Sequence, residues 1–207
     1  MMGQHDNTEA EGTGTPRRRT QDERSAATIE KLCNATISLI AEVGYANLTT
    51  TMIARRAEIS RGAILHHFDT RADLVKRATG AMIGPNRAGG LTAEEFIERS
   101  WTGLMTDTYV SVTIDMMTAS RGDVDLRQHV EGWMRRMFSS YRRTAREVFG
   151  DSGLTPEEAE TLMLVVTSSL RGLRVGQMIE PDPARARAAL ALLAEVIRTR
   201  VSTGFSP

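Results

Sequence analysis

The sequence predicts an all-α chain, in which a small helix-turn-helix unit of three-helix type precedes a larger helical domain. Three observations predict this. Apolar residues recur at three- and four-residue spacing in every long segment, and none shows the alternation of a half-buried strand. Cap residues followed by acids mark helix starts, as in Thr92-x-x-Glu95 and Thr155-Pro156-Glu157-Glu158. Glycine and proline break the intervals, as in Gly84-Pro85-Asn86, Gly89-Gly90 and Glu180-Pro181-Asp182-Pro183.

Residues 1–22 are polar and hold too little apolar surface to offset the entropy of ordering, so a disordered arm is expected, ending near Arg17-Arg18-Arg19. A first helix is expected from about Arg24 to Val43, with Ile29, Leu32, Cys33, Ile37, Ile40 and Val43 on one stripe. Gly44 suits a left-handed C-cap.

Residues 49–74 hold the unit on which the rest is arranged. Thr50 or Thr51 is expected to cap a short helix that turns Ile53, Ala54 and Ala57 inward. Glu58-Ile59-Ser60 forms the corner, and Ser60 caps a second short helix with Ile64 and Phe68 inward. Arg61, Ala63, Leu65, His66 and His67 then face outward or lie along its edges. In a helix-turn-helix one helix braces while the next enters a DNA major groove. Asp69-Thr70 with Asp73 starts a fourth helix, on which Leu74, Val75, Ala78 and Met82 point inward. Arg71 at its start opposes the helix dipole, so it is expected to serve the fold little and to face DNA phosphate.

The boundary between the two units is placed at residues 84 and 85. Beyond it, Trp101, Leu104, Met105, Thr108, Val112 and Met116 continue at helical spacing, with a break near Asp107. Gly122-Asp123 starts a long helix bearing Leu126, Val130, Trp133, Met134, Met137, Phe138, Tyr141 and Val148. Leu162, Val165, Val166, Ser169, Leu170 and Leu173 mark the next helix. Leu190, Leu193, Ile197 and Val201 mark a last one from Ala184 to Val201.

The 207 residues carry no net charge, but the charge is unevenly placed: −3 over residues 1–16, +4 over 17–84 and −1 over 85–207. A modestly basic small unit beside a near-neutral larger one fits a nucleic-acid reader joined to a different module. The lone Cys33 excludes an internal disulfide and, with no membrane-spanning run and no apolar leader, points to the cytoplasm. Enzyme chemistry is not expected. His66 and His67 are adjacent and cannot form an i, i+4 metal pair, and no P-loop, dinucleotide fingerprint or nucleophile elbow occurs. No catalytic residue, metal site or cofactor is therefore assigned.

Gly44-Tyr45, Thr49-Thr50, Ile53-Ala54, Ala57-Glu58-Ile59-Ser60-Arg61-Gly62, His66-His67-Phe68, Arg71 and Asp73-Leu74 stand at fixed spacing. On these residues the segment from about Ser25 to Lys76 resembles the DNA-binding domain of the TetR family of transcriptional regulators. The sequence departs from the family pattern at Glu58, where the turn usually has Gly, and at Leu65, where the family often has Tyr. The resemblance implies contacts to double-stranded operator DNA by Thr50, Thr51, Arg61, Gly62, Ala63, Leu65, His66, His67 and Arg71. Arg61 is expected to reach a guanine edge, and Thr50, Thr51 and Arg71 phosphate. Arg17-Arg18-Arg19 would add phosphate attraction.

The last two helices carry small or apolar residues round much of their girth, including Ser168, Ser169, Gly172, Ala188, Ala189 and Ala191. Such helices need a second partner, so a homodimer through a four-helix bundle is expected, and the resemblance implies the same. Trp101, Met105, Tyr109, Met116, Trp133, Met137 and Tyr141 are either plain core or, as the resemblance implies, the lining of a small-molecule effector cavity. Asp115 could pair a cationic ligand, pair an arginine or face water. The arginines at 135, 136, 142, 143 and 146 are expected to form a solvated face. The sequence thus reads as a homodimeric regulator, a repressor released from its operator by a small apolar or aromatic ligand. The alternative is a helical small-molecule or partner-binding protein with weak or lost DNA binding.

Overall fold

The computed structural model describes residues 20–83 and 91–203, and among them there are helices and no strand. The expected boundary, with Gly84-Pro85-Asn86 and Gly89-Gly90, lies outside the described residues, as does Arg17-Arg18-Arg19. No helix among the described residues is long and apolar enough to cross a membrane.

Helix α1 spans Gln21–Val43, so it begins inside the stretch expected to be a disordered arm. The reason is a capping box: Thr20 Oγ1 accepts from Glu23 N–H, and Glu23 returns the bond to Thr20 N–H at 2.8 Å. Helix α2 is Thr50–Ala57 and α3 is Arg61–His67. The cap of α2 is Thr49, not Thr50 or Thr51; its Oγ1 accepts from Met52 N–H at 3.2 Å. Ser60 caps α3 as expected, accepting from Ala63 N–H. Helix α4 spans Arg71–Ala81. Its cap Thr70 accepts from Asp73 N–H, but the reciprocal half of a capping box is missing. The short Asp73 side chain instead takes the Thr70 hydroxyl proton at 2.7 Å.

Glu58 ends α2 in the left-handed region, at φ 57° and ψ 42°. Ile59 N–H bonds to Ala54 O and Glu58 N–H to Arg55 O, the paired closure of a Schellman turn. Gly44 after α1 also has positive φ, +81°, but its ψ of 156° leaves it extended rather than left-handed helical.

Helix α5, Ala93–Arg99, runs into one turn of π-helix over Ser100–Leu104, closed by Met105 N–H onto Ser100 O at 2.7 Å. Thr106 then caps α6, Asp107–Ala119, which accounts for the expected break. Thr108 is exposed on α6; Tyr109, Val110, Val112 and Thr113 turn inward instead. Helix α7 spans Val124–Phe149, α8 Pro156–Ile179 and α9 Pro183–Thr203. Phe138 of the broad apolar face on α7 is exposed, as are Val165 and Ser169 on α8.

Two cores result. The first joins Leu32, Ile40, Leu48, Ile53, Ile64 and Leu74 of the small unit to Val112, Met116, Leu126, Val130 and Trp133 of α6 and α7. The second joins α5 to α9 through Phe96, Met105, Tyr109, Met137, Val166, Leu170 and Ile197. Cys33 sits in the first core, where burial raises its thiol pKa and keeps it a small hydrophobe.

Candidate nucleic-acid interface

Helix α3 is pinned by one side chain. Ile64 is buried among α1, α2 and α4 residues, and Phe68 packs beside it. With Ile64 inward, the helical repeat turns Arg61, Gly62, Leu65 and His66 outward together, and all four are exposed. Ala63 and His67 are half-buried at the edges, and the His66 and His67 rings meet edge to face at 5.1 Å. Leu65 is 66 % exposed, a large apolar side chain left uncovered in mid-helix. A Cβ at Gly62 would meet only Ser60 Oγ, at 3.9 Å, so packing within the chain does not require glycine there. Thr50 is half-buried and Thr51 exposed in the first turn of α2, where helix N–H groups lack intrahelical partners.

Helix α2 is held to α1 by a fork. Arg56 donates to both Glu42 carboxylate oxygens, at 2.7 and 2.6 Å, and to Ser38 Oγ. Those bonds hold the Glu42 carboxyl down at about 2.

Arg71 does more for the fold than its place against the dipole suggested. Its Nη1 donates to Leu48 O at 2.5 Å and to Tyr45 O at 3.4 Å, and its guanidinium lies 4.7 Å from the Tyr45 ring centre. It therefore ties the α1–α2 connection to the start of α4. Spacing could not reveal this, because Arg71 and Tyr45 are 26 residues apart.

Asp115 has a role that spacing did not offer. Its Oδ2 accepts from Tyr45 N–H at 2.6 Å, so a carboxylate of α6 holds the backbone beside the reading unit. A second link joins α4 and α7, with Thr79 Oγ1 2.8 Å from His129 Nε2. Thr79 Oγ1 also lies 2.9 Å from Val75 O, one turn back on α4. Burial and the nearby Arg136 and Lys76 cations lower the His129 pKa.

The seven residues offered for an effector cavity fall into two places. Met116 and Trp133 are fully buried in the first core, beneath the reading unit. Met105, Tyr109, Met137 and Tyr141 are buried in the second core, with Trp101 half-buried at its edge. Trp101 lies under Arg174, whose guanidinium carbon is 3.6 Å from the ring centre. Arg174 also bonds Met105 O, Trp101 O and Asp107, closing the π-turn. Neither Arg174 nor Arg171 was foreseen; single arginines on a helix give no sequence signal of what they reach. Of the expected solvated arginines, Arg135 pairs with Glu131 and Arg146 with Glu160 across exposed surface.

The family model "Bacterial regulatory proteins, tetR family" matches residues 32–78, the stretch from mid-α1 to late α4. The transcriptional regulator CymR of Pseudomonas putida is 25% identical over 197 residues, covering 90% of this chain and 97% of that one. An uncharacterized helix-turn-helix regulator of Mycobacterium tuberculosis is 25% identical over 178 residues, covering 80% and 90%. Among solved structures, a transcriptional regulator of Rhodococcus sp. Rha1 superposes with a TM-score of 0.63 at 20% identity, covering 86% of this chain and 99% of its own. FadR of Bacillus subtilis, solved in complex with stearoyl-CoA, superposes with a TM-score of 0.57 at 15% identity over 86% and 99%.

Proposed function

We propose that this chain, whose residues 32–78 match the tetR family model and which is 25% identical to a helix-turn-helix regulator over most of both chains, is a homodimeric repressor of the tetR family, released from operator DNA by a small apolar or aromatic ligand. The observation that carries the DNA reading is the outer face of α3, with Arg61, Gly62, Leu65 and His66 presented together by a helix anchored on Ile64. Arg61 reads a guanine edge, Leu65 meets a thymine methyl or sugar, and Gly62 and Ala63 allow close approach to the groove. Thr50, Thr51 and His67 contact the backbone. Arg71 does so only with donors not already spent on Leu48 and Tyr45.

The pairing of two copies draws support from α8 and α9. Val165, Ser168, Gly172 and Ile179 are exposed along one side of α8, and Ala188, Leu192 and Val196 along α9. An apolar strip on two adjacent helices fits a symmetric four-helix interface. Two reading helices about 34–36 Å apart then meet successive major grooves. A ligand acts by binding one spacing of the heads better than the other.

The test is a gel-shift titration on fragments that the purified protein selects from its own genome, at two salt concentrations, with its mass measured in solution. Tight binding that weakens steeply with salt, by a dimer, is expected. A monomer, or binding unchanged when Arg61 and Arg71 are both reversed in charge, overturns the reading.

A further inference from the structure

Helix α6 touches both the reading unit and a helix proposed for pairing, since it packs against α1 and against α8. Directional bonds fix it to each. At its start, Arg174 of α8 donates to Met105 O at 2.6 Å and to Asp107 at 3.3 Å. About 12 Å further along the helix, Asp115 accepts from Tyr45 N–H at 2.6 Å. The rest of its hold on the two units is apolar: Val112 and Met116 lie in the first core, Tyr109 and Val110 in the second. Apolar burial is non-directional, whereas a short hydrogen bond to a carboxylate fixes both distance and angle.

Tyr45 is held from two elements at once. Its N–H goes to α6, and its carbonyl and ring go to Arg71 of α4. Three residues on, the Leu48 carbonyl also takes a bond from Arg71, and Thr49 then caps α2. The backbone entering α2 is thus tied to α6 and α4 together. Helix α2 in turn places α3 through the tight turn at Glu58. A line of bonds therefore runs from Arg174 on α8, along α6, through Asp115 and Tyr45, to the reading helices.

We propose that Asp115 is a positioning residue for operator binding: it passes the placement of α8 to the α1–α2 connection and so sets the separation of the two α3 helices in the dimer. This rests on the dimeric regulator reading above and names the residue that fixes the spacing of the heads. Asp115 acts through Tyr45 and is not itself a DNA contact. Adding or removing one base pair between half-sites moves them by about 3.4 Å and turns them by about 35°. The heads follow such a shift only by straining the Asp115–Tyr45 bond.

The experiment rebuilds the duplex that the purified full-length protein selects from its own genome. Its half-sites are set at the selected spacing, one base pair closer and one base pair further apart, and one half-site is also tested alone. Gel shifts compare wild type, Asp115→Ala and Asp115→Asn, with far-UV circular dichroism reporting the fold. Wild type is expected to prefer the selected spacing by about 10-fold or more, the low end for a bond to a charged group. Asp115→Ala is expected to compress that preference below about 3-fold and to leave the single half-site within about 2-fold of wild type. Asp115→Asn, which keeps an acceptor oxygen, should retain most of the preference. Should Asp115→Ala not fold, Arg174→Gln loosens the other end of the line and is expected to compress the preference likewise. A wild type indifferent to spacing, a preference that the substitution leaves intact, or an equal loss on every duplex overturns the proposal. A wild type that binds no duplex at all overturns the regulator reading, and this proposal with it.

Discussion

The Asp115 carboxylate on α6 accepts a 2.6 Å hydrogen bond from Tyr45 N–H, 70 residues earlier in the chain. Gly44 precedes Tyr45 at φ +81°, a conformation that favours glycine, and a Cβ there would meet Asp115 Oδ1 at an ordinary 3.4 Å. Tyr45 in turn carries the Arg71 guanidinium on its ring. Asp115, Tyr45 and Arg71 thus form one line of contact from the second unit to the base of the reading unit. Removing the acceptor by Asp115→Ala is expected to cost about 1.5–3 kcal/mol, as for a hydrogen bond to a charged group. Asp115→Asn, which keeps an acceptor oxygen, should cost less. Urea denaturation of the three proteins checks the order, and equal midpoints would remove the link.

Arg71 is expected to behave as a fold residue as well as a DNA residue. Arg71→Met should lower stability by about 1–3 kcal/mol by leaving the Leu48 carbonyl without its donor. Arg71→Lys should not restore it fully, because an ammonium lacks the planar face that covers Tyr45. Thermal unfolding measures the first effect. If Arg71 also meets phosphate, the salt slope of operator binding falls by about one in the same variants.

Glu58 occupies a left-handed position at a strain of about 1–2 kcal/mol for a residue with a Cβ. Glycine removes that strain but enlarges the entropy of the unfolded chain by about 0.4–1 kcal/mol. Glu58→Gly is therefore expected to stabilise the protein by roughly 0.5–1 kcal/mol. A lower denaturation midpoint would mean that Glu58 makes a compensating interaction.

Arg61 leaves α3 with no role in packing. Arg61→Ala is expected to leave the unfolding midpoint within about 0.5 kcal/mol of wild type. It should weaken operator binding by about 1–3 kcal/mol and relax preference at one base pair. Selection of randomised duplexes by the two proteins shows both effects. A uniform loss across all sequences would make Arg61 a phosphate contact instead.

His129 gives stability a pH dependence. Its folded-state pKa lies below the ordinary 6.5, so the unfolded chain binds the proton more readily. The contribution is fully present above about 6.5 and is lost as pH falls through the folded value below it. Wild-type protein should lose stability on going from about pH 7 to 5 more steeply than His129→Gln. Parallel curves would show that His129 is equally easy to protonate in both states.

Helix positions, most of the caps and the inward faces were legible in the residues themselves, because each depends on neighbours three or four positions away. Ser60, Thr92, Asp123 and Thr155 all cap helices from local chemistry. Where local reading failed, two local candidates competed, as with Thr49 against Thr50 and Thr51, or Thr20 against a polar arm. The outer face of α3 was legible too, since Ile64 alone sets which side points away.

What the sequence by itself determined is the helical layout and the reading helix, through periodicity and capping that operate within one turn. Only the tertiary structure decided that Asp115 holds Tyr45, that Arg71 ties the α1–α2 connection to the start of α4, and that Arg171 reaches Tyr141. It also parted Met116 and Trp133 from Met105, Tyr109, Met137 and Tyr141, which spacing had gathered into one set. These are meetings of residues 23 to 70 apart in the chain. The packing of whole helices against one another creates them, and no short-range pattern encodes that packing.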